Sequence, residues 1–569
     1  MQADFEIRDR DLAGRIARLK TNHGTIETPT ILPVINPNRL VIAPKELTKY
    51  GAEGLITNSY ILWKDFSQEV IGQGVHNFLD FNGPVMTDSG AFQLMQYGDI
   101  DVSNRDIIKF QEKIGVDIGV ILDIPVASQE KKDMKKGVVE TIKRAKEAQK
   151  YIKGDLLWCG PVQGGVHLDL LKKSAKEMGG LDFAIHPIGS VVPLLVKYRF
   201  APHVEIIRTV KEILPSNRPV HLFGAGHPMF FAFAVALGVD LFDSAAYSLY
   251  AQEGRYITQS GTEQLDELDY FPCSCPICSK YSPEAVRQSP ARAKLLAEHN
   301  LYVTFEEIRT IKQAIKEKTL WELLELRARS HPSLIECMDH LVRHTDYISK
   351  QDPLTKKHFF YLSNYSKKRV EIDRAKEMTK KIKGKKISLE PFGKVPLSVF
   401  ECYPFSQTVL PERIMVPRAK NNLDKLRDVS LYWFGVNIFD ERMKIDLSRR
   451  TNKIRAVYDG NSLVATLRAS DFMILLHDGS RLLHKKTKRF RVQIIDDKEV
   501  EGYIRQGKSV FAKFVKKADE KIVPGQQVLV VNKRDQLLAS GDVLLTPKEM
   551  GEFKRGAAVK IRWVNQQSS

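Results

Sequence analysis

The chain lacks an apolar run long enough to cross a membrane. The longest candidate, residues 229–242, contains Gly238 and Asp240 and falls short of the ~20 residues that a bilayer requires. The first residues are polar and acidic, unlike the basic and apolar segments of a targeting peptide. We therefore expect a cytoplasmic protein with no membrane partner.

Cysteine is also scarce, with six residues in 569, and half of these fall within residues 273–278. Such a distribution does not suit the disulfide framework of a secreted protein. Cys273, Cys275 and Cys278 have the spacing Cys-x-Cys-x-x-Cys, and His299 follows on a segment with a helical pattern. Three thiolates and one imidazole complete the tetrahedral ligand set of a structural zinc ion. The sequence predicts one zinc per chain, in a subdomain at about residues 265–305.

Residues 333–569 lack the acidic side chains that would balance their basic ones. This part contains 47 Lys and Arg against 28 Asp and Glu, a net charge of +19, whereas residues 1–332 carry −1. A lysine-rich surface can serve solubility alone. Because the surplus is confined to one part of the chain, it favours a polyanionic partner that is bound through its phosphates.

Eight short apolar runs alternate with amphipathic segments of helix length between residues 28 and 245. The runs are residues 28–35, 54–60, 84–88, 118–123, 156–163, 182–189, 219–224 and 240–243. Eight such alternations predict an α/β fold, a (β/α)8 TIM barrel, rather than an open doubly wound sheet. Enzymes with this fold place their active sites at the C-terminal ends of the strands.

Polar residues and glycines fall at these predicted strand ends. In chain order they are Asp88, Asp123, Gln163-Gly164-Gly165, Gly189-Ser190, Gly224-Ala-Gly-His227 and Asp243-Ser244. Any one of them alone could be a turn or cap residue, but six at one rim favour a shared site. Glycines let the backbone approach a flat ligand closely. Residues 88–93, Asp-Ser-Gly-Ala-Phe-Gln, add a carboxylate and an aromatic ring and so favour a nucleobase pocket.

Beyond the barrel we expect small α+β domains and a β-rich end. His331-Pro332 interrupts the helical run 321–329, and we expect a linker-like stretch after it. The predicted divisions are a catalytic domain with the zinc subdomain, two accessory domains and a terminal module, at residues 1–332, 333–410, 411–490 and 491–569. In the terminal module, residues 510–515, 527–532, 537–545 and 558–564 have the pattern of strands.

Several of these motifs together resemble the tRNA-guanine transglycosylases over residues 1 to about 330. The similarity rests on residues 88–93, 162–165 (Val-Gln-Gly-Gly), 224–228 (Gly-Ala-Gly-His-Pro), 242–247 (Phe-Asp-Ser-Ala-Ala-Tyr) and the Cys3His set. The end of the chain, from about residue 491, resembles a PUA RNA-binding domain, as in the archaeal branch of the family. That similarity includes residues 507–513 (Gly-Lys-Ser-Val-Phe-Ala-Lys) and 522–528 (Ile-Val-Pro-Gly-Gln-Gln-Val).

The resemblance implies an RNA-modifying transferase. Its archaeal branch exchanges guanine at position 15 of the tRNA D-loop for 7-cyano-7-deazaguanine (preQ0) through a covalent enzyme–tRNA intermediate, in archaeosine biosynthesis. The implied partners are tRNA, guanine and preQ0, and family members pair as homodimers through surfaces near the zinc region. Residues 186–192 depart from the Gly-Gly-Leu type of the bacterial queuosine enzymes, which favours the nitrile-bearing base.

Roles for individual residues also come from the resemblance. Exchange with retention at the sugar needs one carboxylate to attack C1′ and another to handle protons. Asp243 is expected as the nucleophile and Asp88 as the acid and base, with the opposite assignment left open. Asp123 would accept hydrogen bonds from the base. The other expected base contacts are Ser89, Phe92, Gln163, Gly164, Gly165, Gly189, Ser190, Val191 and Val192.

Three alternatives remain open on the sequence. A queuine-type transglycosylase would act at the anticodon, a non-catalytic tRNA-binding partner would reuse the same barrel, and a barrel glycosidase would act on free sugars. The presence of both Asp88 and Asp243 disfavours the second alternative. The basic C-terminal part disfavours the third.

Overall fold

A computed structural model describes residues 3–90, 102–409, 421–468 and 472–566. The chain divides into two compact units, the first formed by Met1–Lys316 with Leu326–Leu341 and the second by Glu317–Glu325 with Val342–Ser569. Within the described ranges every helix is too short or too polar to span a bilayer.

The first unit contains the strands and helices that follow. Its strands are β1 (Phe5–Asp11), β2 (Gly14–Thr21), β3 (Gly24–Thr28), β4 (Thr30–Ile35), β5 (Leu55–Asn58), β6 (Val85–Asp88), β7 (Ile118–Val120), β8 (Leu157–Cys159), β9 (His186–Ile188), β10 (Val220–Leu222), β11 (Leu241–Ser244), β12 (Arg255–Ile257) and β13 (Thr262–Gln264). Its helices are α1 (Ser59–Gln73), α2 (Val75–Leu79), α3 (Asn104–Ile114), α4 (Lys131–Ala148), α5 (Leu168–Gly179), α6 (Val192–Val196), α7 (Ala201–Ile213), α8 (Pro228–Ala236), α9 (Ala246–Gln252), α10 (Pro276–Lys280), α11 (Pro283–Arg287), α12 (Arg292–Glu317), α13 (Leu320–Ala328) and α14 (Pro332–Leu341), of which α12 and α13 run across the division between the units.

Strands β4 to β11 form one parallel sheet in the order β8-β7-β6-β5-β4-β11-β10-β9. Two isolated parallel bridges, Cys159 to Ile185 and Val162 to Ile188, join its two edges. Each of the eight predicted runs overlaps one of these strands, so the predicted TIM barrel is confirmed. An antiparallel sheet of β1, β2 and β3 precedes the barrel and was not predicted.

The apolar run at residues 229–242 has a structural explanation. Helix α8 is buried along its whole length, and strand β11 follows it into the barrel. A helix that is apolar on every side must be enclosed by other elements. Helix α3 is amphipathic instead. Ser103 caps its N-terminus with a side chain that accepts from Asp106 N, and Gly115, with φ of 73°, caps its C-terminus.

The second unit is a set of small sheets and helices. Its strands are β14 (Phe359–Phe360), β15 (Lys386–Leu389), β16 (Gly393–Pro396), β17 (Thr408–Val409), β18 (Lys444–Leu447), β19 (Ile454–Asp459), β20 (Ser462–Leu467), β21 (Ile474–Leu476), β22 (Arg491–Ile494), β23 (Val510–Phe511), β24 (Val515–Ala518), β25 (Gln527–Val531), β26 (Leu537–Val543) and β27 (Ala557–Val564). Its helices are α15 (Thr345–Ser349), α16 (Val370–Thr379), α17 (Asn422–Phe434), α18 (Gly479–Lys486), α19 (Lys498–Arg505) and α20 (Pro547–Glu552).

The last six strands form one sheet in the order β23-β27-β26-β25-β22-β24, which confirms the β-rich end of the chain. The four-stranded sheet β18 to β21 precedes it.

The prediction of a linker-like stretch after His331-Pro332 is wrong. Pro332 opens helix α14 instead, because proline at the first position of a helix forgoes an N–H that would have no partner in the helix. Helix α14 packs against α7 within the first unit.

Candidate active site

Three carboxylates lie at the C-terminal rim of the barrel. Asp88 ends β6, Asp243 lies near the end of β11, and Asp123 follows β7 by a few residues. The negative charges of Asp243 and Asp123 both act on Asp88. The structure therefore brings together the three acidic residues that the sequence placed at this rim.

Asp88 is held by the turn that follows its strand. Its Oδ1 accepts from Asn58 Nδ2 at 2.7 Å and from Gly90 N at 2.8 Å. Gly90 has φ of +79°, and a Cβ there would lie 2.3 Å from Tyr60 Cβ, so this position requires glycine. Burial raises the pKa of Asp88 to about 7, helped by the charges of Asp243 and Asp123 and opposed by the two hydrogen bonds.

A chain of hydrogen bonds connects Asp123, Gln163 and Ser190. Gln163 Nε2 donates to Asp123 Oδ2 at 2.6 Å, and Ser190 Oγ donates to Gln163 Oε1 at 2.6 Å. Ser89 Oγ donates to Asp123 Oδ1 at 3.3 Å. Burial raises the pKa of Asp123 to about 6, although the bond from Gln163 opposes the shift. The carboxylate and the amide are thus fixed as one buried polar unit.

Gly189 lets this unit form. A Cβ at Gly189 would lie 2.5 Å from Gln163 Nε2, so any side chain would displace the amide. Gly164 and Gly165 also have no room for a side chain, because an added Cβ would lie 2.7 Å from Leu171 Cα at the first and 2.8 Å from Met134 Cε at the second. The other two predicted contacts follow Ser190: Val191 is buried, and Val192 begins α6.

Asp243 has two neighbours on one oxygen. Its Oδ1 accepts from Gly224 N at 3.0 Å and lies 2.9 Å from His221 Nε2. His221 is fully buried, and within the described part of the chain neither of its ring nitrogens has a well-formed hydrogen bond. Sequence reasoning missed His221, although a histidine within the apolar run 219–224 was a signal. It also missed Asn58, a polar residue at the end of β5.

The predicted stacking residue Phe92, like its neighbour Gln93, lies outside the described residues.

Cys273, Cys275, Cys278 and His299 converge as predicted, with one ligand atom of each within 4.8 Å of the others. His299 Nδ1 lies 3.5 Å from Cys275 Sγ and 3.2 Å from Cys278 Sγ. Its Nε2 donates to Ile257 O at 2.9 Å, which turns Nδ1 towards the sulfurs. Three sulfurs and one nitrogen at these separations fit a tetrahedral metal ion.

Comparison with known proteins agrees with this geometry. A family model described as queuine tRNA-ribosyltransferase matches residues 10–333, more than half of the chain. The chain belongs to the tRNA-guanine transglycosylase family. Two further models match the second unit of this family member: a patch-forming domain C2 of tRNA-guanine transglycosylase over residues 424–489 and a PUA domain over residues 492–564.

Relatives are similar over nearly the whole chain. A tRNA-guanine(15) transglycosylase of Pyrococcus furiosus is 45% identical over 98% of this chain and 97% of its own length. Proteins of the same name from Thermococcus onnurineus and Methanocaldococcus jannaschii are 44% and 41% identical, over 98% of this chain and 98% and 99% of their own lengths.

The raised pKa of Asp88 predicts a pH-dependent stability effect. A carboxyl whose folded pKa is about 7 binds its proton more tightly than in the unfolded chain, near 4, so ionisation destabilises the fold as pH rises between these values. Asp88→Asn removes this loss. We expect the variant to be more stable than the wild type at pH 8 by on the order of 2–4 kcal/mol, and by less at pH 5.

Urea unfolding at the two pH values measures this difference. Asp155→Asn, at an exposed position before β8, is the control and should shift neither curve. A pH-independent difference between Asp88→Asn and wild type would contradict the assignment.

Proposed function

We propose that the chain is a tRNA-guanine(15) transglycosylase that replaces guanine at position 15 of the tRNA D-loop by preQ0, as in archaeosine biosynthesis. The observation that carries the proposal is the pair of carboxylates Asp88 and Asp243, which share one rim but have different surroundings. The similarity of nearly the whole chain to relatives of that name supports the same conclusion.

The surroundings of the two carboxylates support different roles for Asp88 and Asp243. Asp88, with a pKa of about 7, is partly protonated near neutral pH and suits proton transfer in both directions. Asp243 suits attack on the sugar. Because Gly224 N and His221 both contact Oδ1, we assign the attack to Oδ2.

The reaction then proceeds by two displacements at ribose C1′. Asp243 Oδ2 bonds to C1′ while the bond from C1′ to guanine N9 breaks, and the leaving base takes a proton from Asp88. PreQ0 next gives its N9 proton to Asp88 and attacks C1′, which releases Asp243. Two inversions retain the configuration of the sugar.

The base is proposed to bind against the Asp123, Gln163 and Ser190 unit. An ionised Asp123 would accept from N1–H and the exocyclic amine that guanine and preQ0 share. The Gln163 amide has two hydrogens, one of which already reaches Asp123, so the second can reach the base carbonyl. Ser190, Val191 and Val192 would surround the 7-substituent, with the other predicted base contacts, Ser89, Phe92, Gly164, Gly165 and Gly189, completing the pocket.

Zinc is the metal we propose for Cys273, Cys275, Cys278 and His299. With four protein ligands, its part would be to stabilise the fold around them and not to enter the reaction.

We propose that the basic second unit and its PUA domain bind the tRNA through phosphate contacts. The homodimer that the family resemblance implies stays a prediction.

Base exchange tests the proposed roles. Asp243→Ala should abolish the tRNA adduct and lower exchange by at least ~10³-fold, because the proposed nucleophile is removed. Asp88→Ala should also block exchange, while Asp155→Asn should retain it.

Mapping labelled preQ0 in the tRNA distinguishes the substrates. We expect incorporation at position 15. Incorporation in the anticodon would replace the proposal with a queuine-type activity, and exchange that survives both alanine variants would overturn the two-carboxylate reaction.

His221 is proposed to position Asp243. His221→Phe keeps a ring against Phe223, which contacts His221 edge to face at a centroid distance of 4.8 Å, but removes the nitrogen next to Oδ1. Adduct formation should slow by on the order of 10- to 100-fold, with KM for tRNA unchanged. His221→Gln, which retains an N–H donor, should recover part of the rate. Equal adduct rates in His221→Phe and wild type would exclude the role.

Loss of one proposed zinc ligand should affect the fold before the chemistry. Cys275→Ser should lower the zinc content below one per chain and lower the melting temperature, because binding energy at a closed site is folding energy. Ser274→Ala, between the ligands, is the matched control and should keep its zinc. A zinc-free Cys275→Ser protein that melts like the wild type would contradict a structural role.

A further inference from the structure

A second group of metal-ligating side chains lies at the opposite end of the barrel strands. His23 lies in the turn between β2 and β3, His76 in α2, and Asp117 directly before β7. One ligand atom from each lies within 4.8 Å of the others. None of these residues belongs to the catalytic rim or to the Cys3His cluster.

The Asp117 carboxylate is held in place by the backbone. Its Oδ1 accepts from His23 N at 2.8 Å, and its Oδ2 accepts from Val85 N at 2.9 Å. The side chain has no exposed surface. A carboxylate fixed in this way keeps its orientation without help from a bound ion.

Each oxygen of Asp117 also faces an imidazole nitrogen. His23 Nδ1 lies 3.1 Å from Oδ1, and His76 Nε2 lies 2.9 Å from Oδ2. The two rings stack at a centroid distance of 3.7 Å, so they approach the carboxylate side by side. A bidentate carboxylate and two neighbouring imidazoles are thus assembled from three separate elements.

The separations suit a transition-metal ion. Nitrogen and oxygen ligands bind such ions at ~2.0–2.2 Å, so neighbouring ligands around an octahedral ion lie ~3 Å apart. Imidazole nitrogens favour zinc, cobalt or nickel over magnesium or calcium, which prefer oxygen ligands. The His23 side chain is 46% exposed, whereas that of His76 is 14% exposed, so the His23 side is open to solvent and to water ligands.

We propose that His23, His76 and Asp117 form a second site, which binds a divalent transition-metal ion. With three protein ligands and solvent access, it should bind more weakly than the Cys3His cluster. Its position at the N-terminal ends of the strands separates it from the proposed reaction and gives it a stabilising role. The ion would connect the β2–β3 turn, α2 and the start of β7, which are distant in sequence.

Cobalt binding to the zinc-containing full-length protein tests the proposal. After mild chelation that leaves the structural zinc, equilibrium dialysis against Co²⁺ should give one additional ion per chain. Its absorption should show the weak bands of nitrogen and oxygen ligands without thiolate charge transfer, which separates this site from exchange at the cysteines. The ion should also raise the melting temperature.

His23→Ala should weaken the additional binding at least ten-fold and abolish the rise in melting temperature. Because His23 is largely exposed in a turn, this variant should fold. His358→Ala, at another exposed histidine, is the matched control and should bind like the wild type. A tenfold excess of Mg²⁺ should not compete with Co²⁺.

Two outcomes would overturn the proposal. Wild-type protein that binds no cobalt beyond the cysteine site would leave His23 and His76 as hydrogen-bond donors to Asp117. Equal affinity in His23→Ala and wild type would place the additional ion elsewhere.

Discussion

The rim of the barrel depends on keeping carboxylates buried close to one another. Burial favours the protonated form and raises the pKa of Asp123 to about 6. At Asp88 the charges of Asp243 and Asp123 add to burial, and the pKa rises to about 7. The surrounding structure limits these shifts. Hydrogen bonds from Gly90 N and Asn58 to Asp88, and from the Gln163 amide to Asp123, oppose the rise in pKa.

At the opposite end of the same strands, the neighbours of buried carboxylates outweigh the effect of burial on the pKa. Asp117 is also buried, but the backbone N–H groups of His23 and Val85, together with the adjacent His23 and His76 rings, outweigh burial and lower its pKa to about 2. Asp240 is paired by Arg15 through two hydrogen bonds of 2.7 and 2.9 Å, and its pKa is lowered as well. Carboxylates at the two ends therefore differ in how far their hydrogen-bond donors and neighbouring charges offset the cost of burial. The fully compensated ones hold the fold together, and the incompletely compensated ones remain available for chemistry.

The sequence was sufficient to predict the repeated strands of the barrel and the acidic residues that interrupt its apolar runs. The eight strands were predictable because buried parallel strands are short apolar runs, and Asp88, Asp123 and Asp243 because acids interrupt such runs. The β1–β3 sheet was missed because its strands carry Arg and Asp among the apolar residues. His221 and Asn58 were missed because their importance comes from the carboxylate each one contacts, and those pairs are formed only by the parallel register of the barrel.

That register also bears on the choice between the two carboxylates, which the sequence left open. Asn58 pairs with Asp88 across β5 and β6, and the contact adds a neutral donor to a group whose pKa burial has already raised. His221 lies on β10 beside β11, and its Nε2 lies 2.9 Å from Asp243 Oδ1. Together with the hydrogen bond from Gly224 N, this contact holds the orientation of the Asp243 carboxylate, as attack on C1′ requires. On the proposed reaction, exchanging the roles would require attack by Asp88, whose raised pKa keeps it partly protonated near neutral pH, and a protonated carboxyl is a poor nucleophile.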